Sequence, residues 1–147
     1  MMLYIYCLIT VFMLPGVIHY ISVLLLLING VGALVAGYAF MKEPDGSLLG
    51  MSVDWLQYSP FRDYFIPGII LFICNGIFSI ITLTAYVLRS RYALLLIMVQ
   101  GLVLLTWIIV QVYMLRMFQL LHLFFGMTGV FFLVSGYNRY KKRHILG

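Results

Sequence analysis

Charged residues are absent from four long stretches of this chain, and their absence limits what it can fold into. The uncharged stretches cover residues 1–41, 64–88, 92–115 and 117–138. A helix of about 20 apolar residues crosses the ~30 Å hydrocarbon layer of a bilayer, because each residue adds roughly 1.5 Å. Each of the four stretches is therefore long enough to span a membrane.

The composition agrees with a membrane location. Of the 147 residues, 65% are apolar and 9% are charged, and the mean hydropathy is +1.11. Soluble domains carry about 25% charged residues. A soluble enzyme domain, a disordered chain and a nucleic-acid binder are thereby excluded, despite the pI of 9.4.

The spans are predicted to be helices. Residues 22–41 and 66–88 are apolar on all sides, whereas barrel strands alternate in polarity over about ten residues. The predicted fold class is all-α: an integral membrane four-helix bundle of up-down topology, with an ordered external loop between helices 1 and 2.

A single transmembrane domain over residues 1–147 is predicted. Pro15-Gly16 precedes the first helix, and Ser59-Pro60 has the sequence of a start for the second, since serine is a good N-cap and proline suits the first helical position. The predicted helices are 17–41, 64–88, 92–114 and 118–139, the external loop is 42–63, and the basic cytoplasmic tail is 140–147.

Residues 1–16 allow several interpretations. They are predicted to be an interfacial segment or an extension of helix 1, because Met1–Leu14 is several residues short of a span. An upstream start-site extension with Met13 as the initiator stays open, and so do five spans with the amino end outside. A cleaved signal peptide is disfavoured, because no Lys or Arg precedes the apolar run.

The cations favour one orientation. In a four-span arrangement six of the nine lie on one side of the membrane: Arg89, Arg91, Arg139, Lys141, Lys142 and Arg143. The positive-inside rule places this side in the cytoplasm. The predicted location is the cell (inner, cytoplasmic) membrane, multi-pass, with both termini cytoplasmic. All four acids then share the external loop: Glu43, Asp45, Asp54 and Asp63.

That loop also carries a resemblance to a known family. The residues are Glu43-Pro44-Asp45-Gly46-Ser47-Leu48-Leu49-Gly50, Trp55-Leu56, Ser59-Pro60-Phe61, Asp63, Pro67-Gly68 and Asn75-Gly76. They resemble the pattern D/E-P-x-G, x-L-G, W-L, S-P-F, P-G of a family of small uncharacterised bacterial four-helix membrane proteins. The resemblance implies an inner-membrane protein with an ordered first loop, and it implies no activity and no catalytic residue.

The loop alternates acids with bulky apolar residues, and it is expected to fold back over the helix ends with a short interfacial turn at 52–57. It is interpreted as a lid over an outward cavity, or as a docking surface for a cationic partner or a divalent metal. The alternative is that it only closes the bundle. The candidate interaction surface is Asp45, Asp54, Trp55, Phe61, Arg62 and Asp63. The acids lack the spacing of a calcium loop, and no metal site is predicted.

Neutral polar residues within the spans form a second candidate site. Asn75, Ser79 and Thr82 recur at helical spacing on helix 2, and Asn29 lies near mid-depth on helix 1 beside small residues. The candidate intramembrane polar pocket is Asn29, Asn75, Gln100, Trp107 and Gln111. The alternative is plain hydrogen bonding between helices.

Reactive chemistry is poorly represented in the sequence. No Asp, Glu, Lys or Arg lies inside the spans, which argues against a proton-coupled transporter. Cys7 and Cys74 lack the spacing of a redox pair, and Cys74 is interpreted as a small buried residue. His19 and His122 are expected at opposite leaflets. No catalytic residue and no cofactor is predicted.

These observations predict a non-enzymatic accessory, assembly or regulatory subunit. The alternative is a lipid or small-molecule binding or transport protein with an intramembrane polar pocket. A third hypothesis, an enzyme acting on a lipid, requires Asp54, Asp63 or His122 to converge. The expected partners are a membrane protein or further copies of this chain, and anionic lipids at Arg139, Lys141, Lys142 and Arg143.

Overall fold

The computed structural model describes residues 15–145, most of which belong to four long helices. They are α1 (Pro15–Lys42), α2 (Phe65–Val87), α3 (Ala93–Leu115) and α4 (Leu120–Ile145). No strand occurs among the described residues, and each helix is long and apolar enough to cross a membrane. The all-α fold class with four candidate spans is therefore confirmed. The predictions for Met1–Leu14, including a fifth span, lie outside the described residues.

One predicted boundary and one predicted helix-start signal are wrong. α4 continues to Ile145, so Lys141 and Lys142 lie on its last turns rather than in a separate tail, where cations favour the negative end of the helix dipole. α2 begins at Phe65, one residue after the predicted start at 64, so the Ser59-Pro60 pattern is not the start of this helix. The hydroxyl oxygen of Ser59 instead accepts a hydrogen bond from the Phe61 N–H (3.2 Å) and closes a turn within the loop.

Glycines allow α1 and α2 to pack closely. A methyl carbon added at Gly37 would lie 2.7 Å from Cβ of Phe72, and one added at Gly30 would lie 2.8 Å from Cδ1 of Ile80. The contacts run in opposite order along the two helices, so α1 and α2 are antiparallel. Small residues at such interfaces increase the van der Waals contact that holds membrane helices together.

α3 and α4 form a second antiparallel pair. A methyl carbon added at Gly101 would lie 2.7 Å from the carbonyl oxygen of Gly129, and one added at Gly136 would lie 2.6 Å from Cγ of Met98. Only residues 116–119 connect these helices, and Arg116 adopts a left-handed conformation (φ 52°) at the end of α3.

The interior of the bundle is strongly polar for a helical core. The most deeply buried side chains are Phe132, Leu26, Ile97, Leu104, Gln100, Asn75, Thr82, Ser22 and Ser79. Large apolar residues such as Ile109 and Met127 are exposed, as expected where lipid is the solvent. Cys74 is also exposed, so its prediction as a buried residue is wrong.

The middle of α2 is a π-helical segment, Leu71–Ile77, flanked by α-helical turns. At its end the N–H of Phe78 donates to the carbonyl of Ile73, five residues earlier. Such segments are wider than an α-helix and occur frequently at functional sites. Asn75, the central polar residue of the predicted pocket, lies within it.

Replacing Gly37→Ala should lower the stability of the bundle by about 1–3 kcal/mol, because the new methyl group would collide with α2 backbone atoms. Thermal unfolding in a mild detergent measures the change. Gly32→Ala is the matched control on the same helix, since a methyl carbon there meets no atom within 4 Å. Equal unfolding temperatures for the two variants would contradict the close approach of α1 and α2.

Candidate functional site

A cavity of about 650 Å³ lies between the four helices, beneath residues 49–51 and Trp55 of the loop. Its volume falls within the roughly 300–1,000 Å³ of small-molecule sites. The apolar part of its wall includes Ala33, Phe40, Leu71, Leu104 and Ile108. The polar part is formed by Asn29, Asn75, Trp107, Gln111, Gln119 and His122. The cavity therefore combines an apolar wall with several hydrogen-bonding groups.

The structure brings four of the five predicted pocket residues to this cavity: Asn29, Asn75, Trp107 and Gln111. Gln100 is the exception, and its prediction as a lining residue is wrong. It is completely buried behind Asn75, and its Nε2 atom lies 3.5 Å from Asn75 Oδ1. Gln100 lies one turn before Leu104, the first α3 residue to reach the cavity wall, and so lies too deep to line it.

The deepest part of the cavity is a polar contact between α1 and α2. The side-chain amide nitrogen of Asn29 donates to the hydroxyl of Ser79 (2.7 Å) and to the backbone carbonyl of Asn75 (3.4 Å). The interhelical bonding that the sequence left open is thus present here. It lies at one end of the cavity and does not fill it.

The amide of Asn75 is incompletely satisfied. Its side chain is 1% exposed, and its Nδ2 atom has no hydrogen-bond partner among the described residues. A buried donor without a partner is destabilising by about 1–3 kcal/mol. Asn75 also lines the cavity, so a turn of its side-chain amide toward the cavity would let an acceptor atom of a bound molecule satisfy this donor.

His122 also contributes a donor. Its Nδ1 atom accepts a hydrogen bond from the backbone N–H of Gln119 (3.0 Å), so the proton of the neutral ring is on Nε2. The residue is buried and lines the cavity. The sequence did not assign His122 to the pocket. The spacing of Gln119 and His122 at the start of α4 was the available signal, since it allows a side chain to cap its own helix.

The loop is ordered around Tyr64, which is 3% exposed. Its ring stacks on that of Phe40, with centroids 4.8 Å apart, and its hydroxyl donates to the carbonyl of Ser52 (2.9 Å). Burial raises the pKa of Tyr64, which keeps the hydroxyl protonated and able to donate. The expected turn at 52–57 is a short 3₁₀ helix, Val53–Leu56.

The predicted loop surface does not form one site. Trp55 and Phe61 pack inward against the core, and Arg62 is exposed. Three acids instead close separate local turns: Asp45 Oδ1 accepts from Ser47 N–H (3.0 Å), Asp54 Oδ2 from the Ser52 hydroxyl (3.0 Å) and Asp63 Oδ1 from Phe65 N–H (2.9 Å).

The charge of Asp45 and the positions of the other loop acids define the chemistry of the loop. The backbone N–H and hydroxyl of Ser47 lower the pKa of Asp45, so this carboxyl stays ionised. Within residues 15–145, no group of three His, Cys, Asp or Glu residues is placed to hold a metal. No hydrogen bond joins His122 to Asp54 or Asp63 in this part of the chain.

No protein-family model, curated protein or solved structure matches this chain. The resemblance of the loop pattern to a family of small bacterial membrane proteins stays a prediction. The case for a function therefore depends on the chemistry of the cavity.

Replacing Tyr64→Phe should loosen the loop over the cavity, because the hydroxyl bond to Ser52 is lost while the ring still stacks on Phe40. The expected effect is a loss of about 0.5–1.5 kcal/mol of local stability. Amide hydrogen exchange of residues 51–56 measures it. Tyr58→Phe is the control, since Tyr58 is exposed. Unchanged exchange in Tyr64→Phe would show that the hydroxyl does not order the loop.

Proposed function

We propose that this membrane protein binds a neutral, membrane-dissolved molecule in the cavity between its helices. The observation that carries the proposal is a cavity of about 650 Å³ whose wall includes Asn75, a buried residue with an unpaired amide nitrogen. A tightly packed interior would have no space beside this donor.

The lining indicates the chemistry of the ligand. None of the described residues that line the cavity is Asp, Glu, Lys or Arg, and burying an unpaired charge in such a site is strongly unfavourable. The amide nitrogen of Asn75, the indole N–H of Trp107 and Nε2–H of His122 have no hydrogen-bond acceptor among the described residues. The cavity therefore favours a mainly apolar molecule with acceptor oxygens, such as carbonyl or ester groups.

The position of the cavity favours access from the bilayer. Gly32 and Leu121 line it and are exposed on α1 and α4, as Leu49 and Gly50 are in the loop, so the cavity reaches the lipid-facing surface as well as the loop. Gly32 lies ten residues before Lys42, about 15 Å below the end of α1. A molecule dissolved among the acyl chains reaches this point without crossing the loop.

The binding function was the alternative interpretation of the sequence, and the geometry favours it over the accessory subunit. The accessory role depended on the lack of reactive residues together with small-residue helix faces, a polar stripe and one distinctive loop. Trp55 and Phe61 face the core instead of a partner, and the interior contains a cavity. A role as an accessory subunit stays a prediction, as does association with a membrane protein or with further copies of the chain.

Replacing Gly32→Leu should weaken ligand retention, because Gly32 lines the cavity and the new side chain would enter it, while its Cβ meets no atom within 4 Å. Native mass spectrometry of protein purified from its own membrane in mild detergent measures retention. We expect wild-type protein with an added mass of a few hundred daltons, and an occupied fraction lower by about tenfold in the variant, or about 1.4 kcal/mol.

Gly126→Leu is the matched control. Gly126 lies on α4, does not line the cavity, and likewise has no atom within 4 Å of an added Cβ. This variant should retain the ligand as wild type does. Bare wild-type protein, or equal retention by the two variants, would contradict ligand binding in the cavity.

For the orientation we propose the inner membrane, with both termini in the cytoplasm and the acidic loop outside. The distribution of cations supports it, since Arg139, Lys141, Lys142 and Arg143 all lie near the end of α4.

A cysteine at an exposed loop residue, Leu48→Cys, should react with a membrane-impermeant maleimide in intact cells after Cys7 and Cys74 are changed to alanine. Lys142→Cys in the same background should react only after lysis. The reverse pattern would invert the proposed topology.

A further inference from the structure

An aromatic and cationic cluster joins three helices at the end of the bundle opposite the loop. The imidazole of His19 stacks on the ring of Tyr86, with centroids 4.9 Å apart and planes inclined by 17°. The guanidinium of Arg139 donates to the Tyr86 hydroxyl, and its Cζ atom lies 5.4 Å from the centre of that ring. We call His19, Tyr86, Arg89 and Arg139 the basic cluster.

The charge of the basic cluster is not neutralised by any acidic side chain. The backbone N–H of Arg89 donates to the carbonyl of Tyr86 (3.2 Å), so Arg89 adds a second cation beside Arg139. All four acidic residues of the chain belong to positions 43–63, at the other end of the helices. The guanidinium of Arg139 has five N–H donors, and the Tyr86 hydroxyl accepts from one of its nitrogens.

The cluster is preorganised rather than a set of mobile surface cations. Tyr86 is 4% exposed, so its hydroxyl and ring hold Arg139 and His19 in defined positions. By contrast, Lys141, Lys142 and Arg143 are exposed along the last turns of α4 and contact none of these groups in the described structure. The guanidinium of Arg139, held in this way, suits an oxyanion with several acceptor oxygens, and the exposed Arg89 adds a second charge beside it.

The depth of the cluster in the membrane indicates that the bound anion belongs to a lipid. Tyr86 is the penultimate residue of α2, and Arg139 is the first charged residue at the end of the fourth span. These span ends coincide with the headgroup layer of a bilayer. A phosphate at this depth is that of a membrane lipid, and the excess of cations favours a lipid with net negative charge.

We propose that His19, Arg89 and Arg139 bind the phosphate group of one anionic phospholipid, with Tyr86 as the platform that positions Arg139. The site is separate from the cavity, and it holds whether or not the cavity binds a neutral molecule. It also narrows the sequence prediction of anionic lipid at Arg139, Lys141, Lys142 and Arg143, because three of those four residues lie outside the cluster.

The test is a lipid titration of the delipidated full-length protein in a neutral detergent, followed by native mass spectrometry. The probes are short-chain phosphatidylglycerol, short-chain phosphatidylcholine and inorganic phosphate. We expect one phosphatidylglycerol per chain to bind at least about tenfold more tightly than either other probe. Equal binding of phosphatidylcholine would overturn the preference for an anionic lipid, and displacement by an equal concentration of inorganic phosphate would overturn the lipid as the source.

Variants locate the site. Arg139→Gln should weaken phosphatidylglycerol binding about tenfold, through loss of a charge-assisted hydrogen bond. Arg89→Asn should weaken it about fivefold, and asparagine tolerates the left-handed backbone of this residue (φ 53°). The second variant keeps the test decisive if Arg139→Gln disturbs the packing of α4.

Lys142→Gln is the control, because it removes one exposed charge from the same helix one turn beyond Arg139. It should change the affinity by less than about twofold, since no contact with the cluster is lost. An equal loss in Lys142→Gln and Arg139→Gln would overturn the proposal in favour of diffuse attraction. Unchanged affinity for phosphatidylglycerol in both Arg139→Gln and Arg89→Asn would also overturn the proposed site.

Discussion

The hydrogen bonds from Asn29 to Ser79 and to the carbonyl of Asn75 are the contact on which the arrangement of the bundle depends. In hydrocarbon no water competes for such groups, so polar side chains are most stable when they face one another inside the bundle. Gly30 allows α2 to come within reach of the asparagine. Polar residues therefore line the interior, and large apolar residues such as Ile109 face the lipid. The cavity begins where this contact ends.

The two ends of the molecule have different chemistry because the sequence separates its charges. The acids lie in the loop. The carboxylates of Asp45, Asp54 and Asp63 accept hydrogen bonds within short turns and do not line the cavity. The cavity below is thus lined by neutral groups, among them the exposed Gly32 of α1. At the opposite end, cations are gathered around Tyr86 with no acidic side chain nearby. A neutral site and a cationic site are in this way kept at a distance within a small bundle.

The sequence predicted most of what depends on composition and helical spacing. The four spans follow from the uncharged stretches, and counting residues from the helix ends correctly brought Asn29 and Asn75 to a similar depth. It could not predict details that depend on helix rotation and long-range contact. Gln100 lies behind Asn75 rather than beside the cavity, and Cys74 faces outward. His122 was missed because its role depends on how the start of α4 approaches the loop. No local sequence pattern predicts the stacking of Tyr64 on Phe40 either.

The π-helical segment Leu71–Ile77 has a consequence for both ends of the protein. A π-helical turn contains more residues than an α-helical one, so it changes the phase between the two halves of α2. If the same seven residues were wound as regular α-helix, the extra residue of the wide turn would rotate the second half by about 100° relative to the first. Tyr86 and Ser79 would then leave their partners on α4 and α1 together, although neither had been mutated. The length of this one segment thus couples the geometry of the neutral cavity to that of the cationic cluster.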